Sequence, residues 1–270
     1  MRILLTGARG FVGAAVAEAL GGRHQIVAAP SLRETTRDAV RALVDAAAPD
    51  AIVHTAAISD TGCCERCPEA SLRANVELPV WLAEAAGPAR LIVFSSDQVY
   101  NGQKEPGPWA EDAALTPSSV YGKHKLRMEE EVLPRCDAVA LRAEWMFDRD
   151  PPRPTWLQRV DEAILRGGPI LESASQYRGI TWVRDAAAAV ERALTVPAGV
   201  YNFGCVPEGP MTETARAYLR LRGLDIPIED AGPRRSLWMD PTKAESAGLG
   251  LGTVTESLAR CLGISSKNEV

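Results

Sequence analysis

The feature that most restricts how this chain can fold lies within its first thirteen residues, where a short apolar run, residues 2–6, opens directly into Gly7-Ala8-Arg9-Gly10-Phe11-Val12-Gly13. Glycines three apart at that place meet three needs: a tight turn at Gly7, close backbone approach to an anion at Gly10, and close helix-on-strand packing at Gly13. Beyond the turn, Val12, Val16, Ala19 and Leu20 recur at helical spacing, which predicts a helix over residues 11–20. Strand, glycine turn and helix in that order is the setting in which this spacing marks a pyrophosphate site. The expectation is an N-terminal dinucleotide-binding unit with Gly7, Arg9, Gly10, Phe11, Val12 and Gly13 against the cofactor.

The same alternation runs on. Strands are expected at residues 25–29, 50–55, 90–95 and 138–142, and helices at 36–47, 70–86 and 119–133. The strands read as nearly continuous apolar runs, as they do when both faces of a parallel sheet are covered by crossover helices. This pattern is α/β, a Rossmann-type doubly wound parallel sheet. Pro151, Pro152 and Pro154 interrupt it and mark the start of a different region. The expected division is 1–147 for the NAD(P)-binding domain and 148–270 for a small C-terminal α/β substrate lobe, with segments at about 170–200 returning to the first domain. In the second half, helices are expected at 156–165, 185–194 and 211–221, with Asp185 as a helix cap, and a strand at 199–203. The polar tail, residues 265–270, reads as frayed.

A net charge of −5 offers no broad positive field, so nucleic acid is not expected as a partner. No apolar run is long enough to span a bilayer, and residues 1–6 are too short for a signal peptide, so the chain is read as cytoplasmic, with no membrane partner. Cys63, Cys64 and Cys67 lie close together, but a closed zinc site needs four ligands and no second close pair exists; no metal is expected.

The residues that carry chemistry are Tyr121 and Lys125, four apart at the start of a predicted helix and therefore on one face of it. A free phenol, with a pKa of about 10, exchanges protons poorly at neutral pH, and a neighbouring ammonium favours its ionised form. The strand over residues 90–95 runs into Ser95-Ser96-Asp97, placing hydroxyls at the carboxyl edge of the sheet, where open α/β sheets bind ligands. One of them can hold a substrate carbonyl oxygen. After the second strand come Ser31 and Arg33, with no acid before Glu34, which leans toward NADP over NAD.

The ordered set of motifs resembles the extended short-chain dehydrogenase/reductase superfamily and, within it, the dTDP-4-dehydrorhamnose reductase family. It comprises the glycine turn, Pro49-Asp50-Ala51-Ile52-Val53-His54-Thr55-Ala56-Ala57, Cys64-Glu65 with Pro68-Glu69-Ala70, Asn75, and Ser95-Ser96-Asp97. It continues through Val120-Tyr121-Gly122-Lys123 with Lys125, Leu141-Arg142 with Trp145, Gly199-Val200-Tyr201-Asn202 and Asp240-Pro241-Thr242-Lys243. The resemblance implies a catalytic Ser96, Tyr121 as general acid, and Lys125 as the group that binds the nicotinamide ribose and lowers the tyrosine pKa. It also implies that Ala56, Ala57, Asn75 and Ser95 line the cofactor, and that Ser96, Asp97, Gln98, Trp145, Gln176, Gly179 and Thr181 shape a sugar-nucleotide pocket.

Three departures bear on substrate: Gln98 stands where relatives carry an aromatic residue, Ile180 where they carry proline, and the segment after the second strand is short. Sugar-nucleotide dehydratases carry Glu at the position of Gln98, and glutamine cannot serve as their base. The expected activity is therefore NAD(P)-dependent reduction of a 4-keto sugar nucleotide. Two alternatives stay open: a regulatory subunit resembling that of methionine adenosyltransferase, and a sugar-nucleotide epimerase. The reading admits a homodimer. His54, His124, the run Glu129-Glu130-Glu131 and Trp81, Trp109, Trp182 and Trp238 are read as structural or solvated.

Overall fold

The computed structural model describes residues 1–233 and 236–264, so the tail at 265–270 lies outside the described residues. Six strands form one parallel sheet: β1 (Arg2–Thr6), β2 (Gln25–Ala28), β3 (Ala51–His54), β4 (Arg90–Ser96), β5 (Ala138–Ala143) and, much later in the chain, β9 (Gly199–Phe203). Their order is β2-β1-β3-β4-β5-β9. The chain therefore builds outward from β1 in one direction, then jumps to β3 and builds in the other. The crevice between β1 and β3 is the switch point at which open sheets of this kind accept ligands.

Alternate residues of each strand feed two cores. Ile3 and Leu5 of β1, Val53 of β3 and Val139 and Leu141 of β5 face one side, where α1 (Phe11–Gly21) and α8 (Val183–Ala193) cover them. Leu4, Ile52, Leu91 and Ala140 face the other, under α2 (Arg37–Ala47), α5 (Leu78–Ala85) and α6 (Val120–Val132). Each large apolar side chain enclosed this way contributes about 1.5–3 kcal/mol, so a period-two alternation on strands this short is enough to hold both layers. The expected doubly wound sheet is present.

The helix expected over 70–86 is not continuous. It consists of α4 (Pro68–Leu72), a π-helical segment Arg73–Glu77 and α5, preceded by the short α3 (Thr61–Arg66). Asn75 sits in the π segment, a widened turn of the kind that redirects a side chain. A second correction concerns Asp185, expected as a helix cap. Helix α8 begins at Val183, and Asp185 lies inside its first turn, accepting hydrogen bonds from Ser257 and Arg260 instead.

Beyond β5 the chain adds short elements that no periodicity announced: β6 (Trp145–Phe147), β7 (Ile170–Glu172), β8 (Ile180–Trp182), β10 (Ile228–Asp230), α10 (Thr242–Ser246) and α11 (Val254–Leu262). With α7 (Trp156–Leu165) and α9 (Met211–Leu221) they gather Phe147, Trp156, Leu157, Met211, Tyr218 and Leu258 into a third apolar cluster at the carboxyl end of the main sheet. The strands β6 and β8 pair in parallel, as do β7 and β10. No helix of the described residues is long and apolar enough to cross a membrane.

Candidate active site

At the end of β1, Gly7 adopts φ +76°, a conformation that side chains other than glycine rarely tolerate, and its carbonyl accepts the Gly10 amide at 2.7 Å. A Cβ on Gly7 would stand 2.7 Å from the Ala56 nitrogen, and one on Gly13 would stand 2.1 Å from the Gly7 carbonyl oxygen and 2.7 Å from Thr55 Oγ1. Helix α1 is thereby drawn against the exit of β3. Gly10 caps α1 without a side chain, so the first-turn amides face the crevice as anion donors. These residues fit a dinucleotide pyrophosphate.

The other wall follows β3 through Ala56 and Ala57. Asn75 holds the next residue by both backbone groups: its Oδ1 accepts from Ile58 N at 3.1 Å and its Nδ2 donates to Ile58 O at 3.0 Å. The clamp comes from the π segment, so Asn75 acts on the loop rather than facing outward. Ser31 and Arg33 are exposed in the loop after β2, and Arg9 is exposed in the glycine turn. Arg73, unnoticed in the sequence, ties that loop down by donating to the Thr35 carbonyl while lying over the Trp81 ring.

Ser96 ends β4, and its Oγ both accepts from Gln98 N at 3.2 Å and donates to Asp97 Oδ1 at 3.1 Å. Helix α6 starts under a Ser119 cap, whose Oγ accepts the Gly122 amide at 3.1 Å. Gly122 lets this helix descend, because a Cβ there would lie 2.4 Å from the Gln98 carbonyl oxygen of the 3-10 turn Asp97–Tyr100. The descent brings Tyr121 close enough to Ser96 for that hydroxyl to act on the phenol's ionisation. Lys125 donates from Nζ to Phe94 O at 2.7 Å, with the ammonium 5.7 Å from the centre of the Tyr121 ring. The two groups from α6 and the hydroxyl from β4 therefore converge.

Burial, reinforced by the charge of Asp97, pushes the Tyr121 phenol above its ordinary range, while Ser96 and Arg178 oppose the shift. This direction differs from the lowering that the resemblance implied; a phenol held protonated is in the form that gives a proton away. Burial pulls Lys125 down to about 8, with Glu129 and Cys64 opposing.

The residues expected at a substrate pocket divide. Trp145 is 37% exposed and its ring lies 3.8 Å from the Arg178 guanidinium carbon. Gln98 is buried and its carboxamide oxygen accepts from Asn101 at 3.2 Å, while Gln176 is buried beside α9, with its carbonyl accepting the Met211 amide. Asp97 is completely enclosed and paired with Arg178, Nε to Oδ2 at 2.6 Å and Nη2 to Oδ1 at 3.0 Å. Thr181 and Gly179 attend to a residue that sequence reasoning passed over, Glu144. Thr181 Oγ1 and the Cys205 amide donate to its Oε1 at 2.6 and 2.7 Å, and a Cβ on Gly179 would sit 2.1 Å from Oε2. Burial raises the Glu144 carboxyl to about 8. The signal available for Glu144 was an acid beside Trp145 at the carboxyl end of an apolar strand; for Arg178 there was none. Ser95, expected near the cofactor, turns its hydroxyl to Glu129 at 2.5 Å, on the opposite side of β4 from Ser96.

Residues 1–225 match the family model described as RmlD substrate binding domain. A probable dTDP-4,6-dihydroxy-2-methyloxan-3-one 4-ketoreductase of Streptomyces antibioticus is 34% identical over 69% of this chain and 65% of its own length. The methionine adenosyltransferase 2 subunit beta of Danio rerio is 35% identical over 61% of this chain and 51% of its own. The matches thus span between half and two thirds of these curated relatives. Among solved structures, dTDP-4-dehydrorhamnose reductase from Bacillus anthracis, in complex with NADP, superposes with a TM-score of 0.85 at 19% identity, over 97% of this chain and 98% of that one. This last likeness concerns the fold.

Proposed function

This chain belongs to the RmlD substrate-binding domain family, and from that membership we propose that it is an NAD(P)-dependent reductase of a 4-keto sugar nucleotide. The observation that carries the reading is the meeting of Tyr121 and Ser96 beside Lys125, at the carboxyl edge of β4 next to the β1–β3 crevice. The first turn of α1, with Gly7, Gly10 and Gly13, would hold the pyrophosphate, and the loop through Ala56 and Ala57 would form the facing wall. Exposed Arg9 and Arg33 follow neighbouring strands at the same sheet end, which favours NADP. When bound, the nicotinamide supplies hydride.

The protein's share is proton transfer and orientation. Ser96 Oγ donates to the carbonyl oxygen of the substrate and steadies the charge that grows there. Tyr121 Oη, kept protonated by its surroundings, gives that oxygen its proton. Lys125 carries a positive charge below about pH 8 and favours the phenolate left behind. Gln98 offers no base for water elimination, and Trp145 on Arg178 supplies an apolar wall for the nucleotide part of the substrate.

The direct test is oxidation of NADPH and NADH with a panel of keto-sugar nucleotides, with a Tyr121→Phe variant alongside. Turnover that survives Tyr121→Phe unchanged, or none with any substrate, removes the reading. A second reading, a regulatory subunit, is favoured by one observation, the similarity to the methionine adenosyltransferase subunit. Stoichiometric capture of a synthetase without ketone turnover would support that one. An epimerase would turn over with no net cofactor consumption.

A further inference from the structure

Four residues beyond Lys125 on α6 lies a carboxylate that the proposed chemistry does not use. Glu129 is 2% exposed, and its two oxygens receive donors from two strands. Ser95 Oγ of β4 donates at 2.5 Å, and Arg142 of β5 donates from Nε at 3.0 Å and from Nη2 at 2.8 Å. Arg142 is in turn anchored, with Nη1 donating to Tyr100 Oη at 2.6 Å and to the Glu111 carbonyl at 3.0 Å. A carboxylate so enclosed costs several kcal/mol in desolvation, and replacing such a pair by apolar groups is often neutral or better. Packing alone is therefore a weak reason for this arrangement.

The spacing suggests a stronger one. Residues four apart on a helix share a face, and Lys125 gives its own hydrogen bond to Phe94 O, one residue before the Ser95 that binds Glu129. We propose that Glu129 is a positioning residue for Lys125: a carboxylate fixed between β4 and β5 that keeps the ammonium charged inside the core and in register with the strand end bearing Ser96. Its effect on turnover rests on the reductase reading; its effect on Lys125 does not.

The groups on the elements around α6 leave little else for that part. From α3, Cys64 has its thiol pushed up by burial, and from β3, His54 is held neutral with its pKa down at about 3. Tyr121, one turn back on α6, is held protonated. In the 3-10 turn Asp97 is matched to Arg178, in the π segment Arg73 is turned to Thr35 and Trp81, and on α4 Ser71 bonds His124. On α5 Glu84 pairs with Arg37. Of the two groups that uphold the Lys125 charge, Glu129 and Cys64, Glu129 has the larger effect and is the carboxylate.

The test is a pH titration of lysine side chains by 15N NMR on the whole protein, with the Lys125 signal identified by its loss in Lys125→Arg. In Glu129→Gln the Lys125 midpoint is expected to fall by about one pH unit or more, the size of shift an opposite charge a few ångströms away produces. The alkaline limb of ketone turnover should fall with it. If Glu129→Gln does not fold, the pair Glu129→Gln with Arg142→Met strands no buried charge, and the same fall is expected there. An unmoved or raised Lys125 midpoint in either folded variant overturns the proposal. A midpoint that falls in a protein with no ketone turnover upholds it and counts against the reductase reading alone.

Discussion

Asp97 and Arg178, 81 residues apart, meet as a two-point ion pair with 0 and 2% side-chain exposure, roofed by the Trp145 ring. The pair links the residue after Ser96 to the segment leading into β8. It therefore joins the Ser96 end of β4 to the part of the chain that builds the third apolar cluster.

Asp97→Asn removes the carboxylate from this enclosed pair. A loss of about 3 kcal/mol or more in unfolding free energy is expected, as when one member of a buried pair is removed. Urea denaturation measures it. The double replacement Asp97→Asn with Arg178→Met should lose less than Asp97→Asn alone; an equal or greater loss would mean that the charge pairing is not what matters.

Gly13→Ala improves helix propensity by up to about 1 kcal/mol. The new Cβ nevertheless lands 2.1 Å from the Gly7 carbonyl, a backbone atom that cannot swing aside. The collision should prevail, with cofactor binding by fluorescence titration lost before the fold is. Unchanged affinity would show that α1 need not approach Gly7 so closely.

Gly122→Ala pushes α6 away from the Gln98 carbonyl, where a Cβ would sit at 2.4 Å. Overpacking of this kind costs about 1–3 kcal/mol, and here it moves Tyr121 relative to Ser96. The expected signature is a fall in kcat of tenfold or more, with the dissociation constant for NADPH little altered. A proportionate loss of both would place the damage elsewhere.

The Glu144 carboxyl gives a stability slope with a definite sign. Its pKa rises from 4.5 to about 8 on folding, so between those values the folded chain holds a proton that the unfolded chain has released. Stability contributed by this group is full below about 4.5 and is lost as pH rises through 8. Glu144→Gln, which still accepts from Thr181 and the Cys205 amide, should flatten the decline in melting temperature between pH 5 and 8. Parallel curves for the two proteins would rule out Glu144 as the source.

Much of the architecture was readable because it is local. The glycine spacing, the apolar strands and the four-residue step from Tyr121 to Lys125 each depend on a few adjacent residues, and the parallel sheet follows from their alternation. The interruption at Arg73–Glu77 was hidden, since a π turn alters hydrogen bonding without altering composition. Asp185 was misjudged because a carboxylate near a helix start reads as a cap until its partners on α11 are known.

By itself, then, the order of amino acids determined the layered α/β fold, the glycine turn and the helix face that bears Tyr121 and Lys125, since short-range sterics and hydrophobic period leave few other solutions. Tertiary structure alone decided that Asp97 would find Arg178, that Glu144 would lodge between Gly179 and Gly204, and that Glu129 would bridge two strands. Those outcomes depend on enclosure and on partners far away in the chain. The charge state of a buried group is set by what surrounds it in space, and no spacing along the sequence encodes that.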